Sequence, residues 1–294
     1  MRHLKKRDTA AALLLLFPFL TFFALFVLYP TAVNLYYSFT DYNLNTASWT
    51  GLKNFARLFK DTTFLKAVRN TFVYAFISVP FLTLLGFFMA AALRKAGKWV
   101  KWLRLLFLYP YATSMTAVSM IWLMLLDPNH GFINKALEYL GFEGENWLFD
   151  TRLALYCLIL INIWKNLGYC MLIYLAGINS IPAELYEAAT VDGAGEARKL
   201  VSITLPLIRP VAFFVFITTM VDSFKTFEQV QIMTRGDPMN ETTTIVHQIY
   251  VYGFGEFRMG YAAAMAVVLL LIVMALTAIN YRLNMKGETE VYGR

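Results

Sequence analysis

The chain has 294 residues, of which 59% are hydrophobic, and its mean hydropathy is +0.53. Charged residues make up 15% of the chain, against roughly 25% in an ordinary soluble domain, which excludes a typical soluble protein. The formal net charge is +7, but no basic stripe marks a nucleic-acid-binding domain, and no nucleic acid is expected as a partner.

Six apolar blocks are long enough, at about 20 residues each, to cross the hydrocarbon core of a bilayer. Continuous apolar runs of this length indicate helices, because helices satisfy every backbone polar group within lipid. The predicted spans are Ala10–Tyr29, Phe72–Leu93, Leu105–Leu126, Leu153–Ile178, Leu207–Phe227 and Tyr261–Asn280. The first span is expected to end at Pro30, and it is too long for the apolar core of a cleaved signal peptide. The sequence therefore predicts an all-α integral membrane protein with six transmembrane helices.

Lys and Arg residues near the spans predict an orientation with both termini in the cytoplasm. With this orientation, 15 cations lie inside and nine lie outside. The inner set is Arg2, Lys5, Lys6, Arg7, Arg94, Lys95, Lys98, Lys101, Arg104, Arg198, Lys199, Arg209, Arg282, Lys286 and Arg294. The helix-like stretch Lys53–Arg69 in the first outer loop is expected to lie along the membrane surface. The predicted organisation is one membrane domain, residues 10–282, between cytoplasmic tails at 1–9 and 283–294.

Residue types that would support catalysis or metal binding are scattered along the chain. Cys157 and Cys170 fall in the fourth span, about 20 Å apart on a helix that rises 1.5 Å per residue, which is too far for a disulfide. No Cys, His and Asp group has metal-ligand spacing, and no P-loop pattern for ATP is present. We therefore expect no catalytic residue, no metal site and no cofactor bound by this chain.

A polar, charged stretch over residues 182–206 separates the fourth and fifth spans. Pro182 precedes a predicted short helix over Ala183–Ala189, and glycines at Asp192-Gly-Ala-Gly195 permit a sharp turn. A second short helix is predicted over Glu196–Thr204, ending before Leu205-Pro206 because a residue before proline disfavours the α region. The pattern indicates a cytoplasmic helix–turn–helix that docks another protein. A loop that only connects two spans is the alternative.

The residues of this stretch resemble the coupling loop of bacterial ABC importer permeases related to the maltose and glycerol-3-phosphate permeases. The matching positions are Glu187, Ala188, Ala189, Asp192, Gly193, Ala194, Ile203, Leu205 and Pro206. Further matches are Tyr29-Pro30, Gly51-Leu-Lys-Asn-Phe55, Asn70-Thr71, Ile181-Pro182, Thr234-x-Gly236-x-Pro238 and Gly260-Tyr-Ala-Ala-Ala264. The resemblance therefore covers nearly the whole chain, and it is specific to the family without being specific to one sugar.

The resemblance implies a transmembrane subunit of a sugar importer in the inner membrane of a prokaryote. The implied partners are a homologous second permease, two cytoplasmic ATPase subunits that hold ATP and Mg, an extracytoplasmic solute-binding protein, and a sugar or oligosaccharide. The chain itself would not be an enzyme. The implied ATPase-coupling residues are Glu184, Glu187, Ala188, Ala189, Asp192, Gly193, Ala194, Leu205 and Pro206.

A polar stripe in the fourth span indicates a substrate pathway. Asn162, Lys165, Asn166 and Tyr169 are spaced i, i+3, i+4 and i+7, which places them on one helix face. Polar residues at membrane depth usually face a cavity or a partner, and amides with an aromatic ring suit a sugar. Hydrogen bonding to the second permease is the alternative for this face.

The fifth span carries Thr219, Asp222 and Ser223, which are added to the predicted pathway. Asp222 is expected to need a cation as partner, and Lys165 and Lys225 are the two candidates. Lys165 is expected either to neutralise Asp222 or to contact an acidic sugar. Lys225 and Glu228, at i and i+3, are expected to form an ion pair at the outer end of this span. Intramembrane charges leave one alternative function open, a self-contained ion-coupled sugar carrier.

Overall fold

The computed structural model describes residues 2–94 and 97–292, and the side chains of residues 11, 14–94 and 97–282. Its helices are α1 (Arg2–Phe23), a π-helix (Ala24–Leu28), α2 (Tyr29–Ser38), α3 (Lys53–Leu58), α4 (Thr62–Ala92), α5 (Lys98–Ala112), α6 (Met115–Leu125), α7 (Phe132–Tyr139), α8 (Ala154–Asn179), α9 (Ala183–Val191), α10 (Glu196–Lys199), a π-helix (Leu200–Thr204), α11 (Leu205–Leu207), α12 (Arg209–Phe224), α13 (Glu228–Met233), α14 (Ile245–Tyr250), a π-helix (Val251–Gly255) and α15 (Met259–Tyr292). No strand occurs among these residues, so the predicted all-α class is confirmed.

Five helical segments of the described chain are long and apolar enough to cross a membrane, and a bent pair of helices makes a sixth. The five are Leu14–Ser38, Thr62–Ala92, Ala154–Asn179, Arg209–Met233 and Met259–Arg282. Helical structure also reaches into the predicted tails, since α1 begins at Arg2 and α15 ends at Tyr292. Lys95 of the predicted basic loop lies outside the described residues.

The bent pair corresponds to the predicted third span, Leu105–Leu126. It consists of α5 and α6, which meet at an angle of 98°. Thr113 and Ser114 have extended backbone angles, with ψ of 146° and 138°, and therefore interrupt the helix. Pro110, three residues earlier, lacks the N–H that would continue the ladder of hydrogen bonds. A continuous third helix was therefore the wrong expectation.

Two helices continue through prolines at which the sequence predicted them to end. Pro30 lies in α2, directly after the π-helix Ala24–Leu28, and Pro206 lies in α11, directly after the π-helix Leu200–Thr204. In each case the residue before the proline donates its N–H five residues back rather than four. The wider turn accommodates the proline ring and its missing N–H, so the helix passes through. The predicted ends at both prolines were therefore wrong.

The stretch Lys53–Arg69 is not one surface helix. Only α3, Lys53–Leu58, is separate, and Thr62–Arg69 form the first two turns of α4. The segment between α6 and α8 also contains a short helix, α7, Phe132–Tyr139.

The backbone contacts divide the chain into two compact units, of which the first comprises the chain up to Asp61 and Ile249–Leu270. Within it, Asn54 donates from Nδ2 to the carbonyl oxygens of Ser38 (3.0 Å) and Thr40 (2.8 Å). A Cβ on Gly260 would lie 2.1 Å from the Thr40 oxygen. These contacts explain structurally why Asn and Gly stand at two positions of the family resemblance.

An acidic side chain organises the end of this first unit. Asp61 accepts hydrogen bonds from the hydroxyls of Tyr261 (2.7 Å) and Tyr252 (3.3 Å). Arg57 and Arg258 lie over the Tyr261 ring at 4.9 and 5.0 Å from its centroid. Burial, and then the Asp61 carboxylate, raises the pKa of Tyr252 to about 12, so this hydroxyl stays a donor.

The second unit comprises Thr62–Gln248 and the chain from Leu271 onward, and α8 lies at its centre. One face of α8 packs closely on α4, where a Cβ on Gly86 would lie 2.7 Å from the Cβ of Cys170. Another face packs on α5, where a Cβ on Gly168 would lie 2.0 Å from the carbonyl oxygen of Phe107. Small residues allow such approach between membrane helices, whose association depends on packing because lipid supplies little hydrophobic drive.

Polar side chains fix the loop before α14 within this unit. Asn70 donates to the carbonyl oxygens of Asn240 (3.0 Å) and Thr243 (3.1 Å). His247 is 2% exposed, and its ring nitrogens lie 3.0 Å from Thr243 Oγ1 and 3.1 Å from Gln231 Oε1. Burial lowers the pKa of His247, and the carboxylate of Asp237 opposes this in part. The neutral imidazole therefore serves as a structural link.

We predict that Gly168→Ala destabilises the protein by about 1–3 kcal/mol, the usual cost of overpacking, because the added methyl group would meet backbone atoms of α5. The measurement is thermal unfolding in detergent or nanodiscs. Gly195→Ala is the matched control, since nothing lies within 4 Å of where its Cβ would be and its φ of −69° suits alanine. Equal stability of the two variants would contradict the packing argument.

Candidate functional site

The predicted helix–turn–helix is present, and its first helix is α9. Pro182 stands at the N-cap with extended ψ of 132°, and Glu184 lies in the first turn, where a carboxylate favours the positive end of the helix dipole. Glu184, Glu187, Ala188 and Val191 follow one another at i, i+3, i+4 and i+7. All four are exposed, so α9 presents a continuous surface with carboxylates at one end and an apolar side chain at the other.

A Schellman motif, a two-bond closure of a helix C-terminus, ends α9. Ala194 donates its N–H to the carbonyl oxygen of Ala189 (2.8 Å), and Gly193 donates to that of Thr190 (3.0 Å). Gly193 has φ of +76°, a conformation that glycine adopts without steric cost. Nothing lies within 4 Å of where its Cβ would be, so the glycine serves the turn and leaves the surface open. Asp192, just before it, is also exposed.

The second half of the element is α10 followed by the π-helix Leu200–Thr204. The two halves are joined by a hydrogen bond of 2.8 Å between Tyr186 Oη and Thr204 Oγ1. Leu205 and Pro206 are exposed at the start of the next helix, while Ala189 and Ala194 are half-buried. The two half-buried alanines therefore support the turn, and they do not belong to the exposed surface with Glu187.

An arginine ties this element to the end of α4. Arg94 Nη2 lies 2.8 Å from Glu196 Oε2, and the guanidinium lies 4.9 Å from the centroid of the Tyr186 ring. Lys199 Nζ lies 3.2 Å from the other oxygen of Glu196. The contact joins the end of the second predicted span to the helix–turn–helix, so a displacement of the helix–turn–helix reaches α4 directly.

Two residues of this element were not predicted to belong to it: Arg94, which the sequence indicated only as a cation of a basic loop, and Val191, which is 88% exposed. The spacing from Glu184 to Val191 could have predicted that Val191 lies on the exposed surface, since positions i and i+7 lie on one helix face. Nothing in the spacing of Arg94 and Glu196, which are 102 positions apart, could have paired them.

The polar stripe of the fourth span forms one face of α8. Asn166 Nδ2 donates to Asn162 Oδ1 (2.8 Å), and the Tyr169 ring stacks on the Tyr111 ring with centroids 4.8 Å apart. Lys165 is 7% exposed and donates from Nζ to the carbonyl oxygen of Tyr111 (3.1 Å). The four predicted residues are thus contiguous, and Tyr111 is an addition that the sequence did not indicate.

The charge partners observed in these two spans agree only in part with those expected. No salt bridge joins Lys165 to Asp222 within the described part of the chain; the carboxylate that interacts electrostatically with Lys165 is Glu228. Asp222 interacts instead with Lys225, three residues along its own helix. The Lys225–Glu228 ion pair is likewise not found among the described side chains. The Lys225–Glu228 pair was the wrong expectation, because α12 ends at Phe224 and α13 begins only at Glu228, so the two residues do not share a helix turn. For Asp222, Lys225 is the one of the two candidate cations that interacts with it.

The fifth-span residues do not share one environment. Thr219 is buried and bonds to the Val215 carbonyl oxygen (2.7 Å), and Ser223 is also buried. Asp222 is exposed. Among the described side chains, no group of three or more His, Cys, Asp or Glu residues could hold a metal ion.

Residues 82–286 match the family model for binding-protein-dependent transport system inner membrane components, and this range includes the helix–turn–helix and the polar stripe. The chain belongs to this family. It is 32% identical to a probable ABC transporter permease of Pyrococcus horikoshii, an alignment that covers 96% of this chain and 98% of the relative. It is 33% identical to the sn-glycerol-3-phosphate transport system permease UgpA of Yersinia pestis, with 92% of each chain covered.

A solved relative is a chain of a bacterial ABC transporter involved in the import of the acidic polysaccharide alginate. The identity is 28%, the TM-score is 0.82, and the match covers 96% of this chain and 99% of that one. Together these findings confirm the predicted resemblance and the permease fold. The chain is an ABC transporter permease and a multi-pass inner-membrane protein with a transport role.

We predict that Gly193→Val weakens the closure of α9 by about 1–2 kcal/mol, because a β-branched residue disfavours the left-handed conformation. Gly193→Asn should be milder, since Asn tolerates that conformation. The measurement is ATP-dependent transport by the assembled importer in proteoliposomes. Gly195→Val is the matched control, because Gly195 has φ of −69° and open space around its Cβ. A loss of transport as large in Gly195→Val as in Gly193→Val would contradict the motif's role.

Proposed function

We propose that this permease forms half of the membrane pathway of an ATP-driven importer for a sugar or oligosaccharide. A solute-binding protein delivers the substrate on the outer side, and two cytoplasmic ATPase subunits, which bind ATP and Mg, drive the cycle. A homologous second permease completes the pathway. The relatives named for glycerol-3-phosphate and for alginate support a substrate of this class.

The observation that carries the proposal is the exposed surface of α9. Its carboxylates are exposed and Val191 is 88% exposed, yet the Schellman turn and the Tyr186–Thr204 hydrogen bond hold them on a defined scaffold. A rigid, exposed polar surface between two apolar helices fits a docking role. We propose that residues 182–206 insert into a cleft of the ATPase and that both termini of the permease are cytoplasmic.

Coupling then follows from the contacts behind this surface. When the ATPase subunits close on ATP, they move the docked helix–turn–helix, and the Arg94–Glu196 ion pair transmits the movement to α4. The end of α8 leads directly into Pro182 and α9, so the helix that carries the polar stripe moves with them. This arrangement supports alternating access driven from the cytoplasm. It favours the importer over a self-contained ion-coupled carrier, which would need no exposed docking surface.

We propose that the substrate pathway runs along Asn162, Lys165, Asn166 and Tyr169. The amides provide hydrogen-bond donors and acceptors, and the stacked Tyr111–Tyr169 pair provides an aromatic surface. Asp222 is exposed, and we propose that it extends this face. Thr219 and Ser223 are buried, and we propose that they support the pathway without contacting the substrate. Among the described side chains no carboxylate forms a salt bridge with Lys165, and such an ammonium group suits a substrate that carries a negative charge.

The coupling proposal predicts that Glu187→Arg abolishes coupled transport while leaving membrane insertion intact, because it reverses a charge on the docking surface. The measurement is binding-protein-dependent ATPase activity and uptake by the importer purified with its partners. Glu138→Arg is the matched control, an exposed glutamate on α7 in the second outer loop. Normal uptake by the Glu187 variant would contradict the docking role.

The pathway proposal predicts that Lys165→Met lowers the transport of an acidic oligosaccharide by about tenfold or more, since a hydrogen bond to a charged group contributes about 1.5–3 kcal/mol. Transport of a neutral oligosaccharide that the binding protein also accepts should change much less. Lys135→Met is the control, because Lys135 is an exposed lysine of α7 that belongs neither to the stripe nor to the fifth-span residues. An equal fall for acidic and neutral substrates would show that Lys165 has a structural role instead.

A further inference from the structure

A polar cavity of about 360 Å³ opens at the end of α4 that is remote from Arg94. Its walls come from the first turns of α4, the start of α8 and the loop before α14. The residues that matter here are Arg69, Asn70, Thr151, Arg152, Tyr156 and Glu241. None of them belongs to the polar stripe, and the function proposed above does not use them.

One carboxylate at this cavity is already neutralised from within the chain. Lys66 Nζ lies 2.8 Å from Glu241 Oε1 and also donates to the carbonyl oxygen of Met239 at 2.8 Å. The ion pair with Lys66 fixes Glu241 on one wall of the cavity. The two arginines are then the charged lining residues that Lys66 does not neutralise.

The two arginines have few partners. Arg69 is exposed and makes no salt bridge or hydrogen bond in the described part of the chain. The Arg152 side chain is 89% exposed, and its one ionic contact, 3.9 Å from Nε to Asp150 Oδ1, is at the limit of a salt bridge. That Asp150 oxygen already accepts the backbone N–H of Arg152 at 2.6 Å. Two guanidinium groups are therefore available beside a polar cavity.

We infer that this cavity binds a carboxylate side chain of the solute-binding protein, gripped by Arg69 and Arg152. A guanidinium presents N–H groups in a planar fork that matches both oxygens of a carboxylate, and Thr151 and Tyr156 add hydroxyl donors. The inference deepens the proposed function, on which it rests, by giving the chemistry of one contact between the permease and its delivery partner.

The position of the cavity favours the binding protein over the substrate itself. Arg69 lies about 35 Å along α4 from Ala92, next to the Arg94 contact, at 1.5 Å rise per residue, so the cavity and the ATPase-docking surface lie at opposite ends of the helix. Tyr156 also precedes Asn162 by six residues, about 9 Å nearer the outer end of α8. The arginines are exposed at the ends of α4 and α8 that the proposed orientation places outside, and arginine is enriched at protein interfaces.

The test uses the complete importer in nanodiscs, with ATPase activity titrated by its loaded binding protein. We expect Arg152→Glu and Arg69→Glu each to raise the half-saturating binding-protein concentration by about tenfold, leaving the basal ATPase rate and thermal stability unchanged. The milder Arg152→Gln should show a smaller shift in the same direction. Lys135→Glu, an equal charge change on exposed α7 outside the cavity lining, should shift it by less than about twofold.

A second titration identifies the partner group. Single Asp→Asn and Glu→Gln variants of the binding protein are each combined with Arg152→Gln in the importer. For one acid, the effect of the two substitutions together on half-saturation should differ from the sum of their separate effects. Additive effects for every acid, an unchanged half-saturation in the arginine variants, or an equal shift in Lys135→Glu would each overturn the inference. A wild-type importer that the binding protein fails to stimulate would instead refute the proposed function.

Discussion

The close approach of α8 to its two neighbours is the constraint on which the rest of this molecule depends. Hydrophobic burial does little to hold helices together in lipid, so contact distance decides which helices pack. Gly168 lets α8 approach the backbone of α5, and Gly86 lets α4 approach the Cβ of Cys170. A methyl group at Gly168 would separate α8 from α5 and would remove the contact between Lys165 and the Tyr111 carbonyl oxygen. The polar stripe therefore exists as a site because two glycines stand on the packing surfaces.

The same helix connects the two ends of the molecule. Its first turn contributes Tyr156 to the polar cavity, its middle carries the stripe, and its last residue is followed within four positions by α9. A rigid helix of 26 residues therefore links the two proposed docking sites, for the binding protein and for the ATPase, to the pathway between them. The Arg94–Glu196 ion pair adds a second link, through α4. Mechanical coupling in this permease thus needs no long chain of side-chain rearrangements.

Sequence patterns predicted the helical class, most of the span positions and the helix–turn–helix, because hydrophobic length and glycine and proline positions depend on local physics. They failed where a local rule was overridden. Proline normally ends a helix, but a π-helix before Pro30 and another before Pro206 carried the helix through. The apolar run Leu105–Leu126 predicts one continuous helix, although extended backbone angles at Thr113 and Ser114 divide it.

Within the candidate site, spacing placed Asn162, Lys165, Asn166 and Tyr169 together correctly, since one helix fixes their geometry. The residues that these side chains contact on other helices were not predicted. Tyr111, which holds Lys165, lies 54 positions earlier in the chain, and no local pattern reveals such a contact. The same holds for Arg94 and Glu196. Contacts between distant segments follow from helix crossing, which depends on glycine positions in both helices and is visible only in three dimensions.

The most direct test of the account is whether the exposed surface of α9 touches the ATPase. Cysteine introduced at Glu187, with Cys157 and Cys170 replaced by alanine or serine, would be cross-linked by a short bifunctional reagent in the assembled importer. The account predicts a cross-link to the ATPase subunit from position 187 and none from cysteine placed at Lys135, which is also exposed. A cross-link to the ATPase from position 135, or none from position 187 in an importer that hydrolyses ATP, would contradict it.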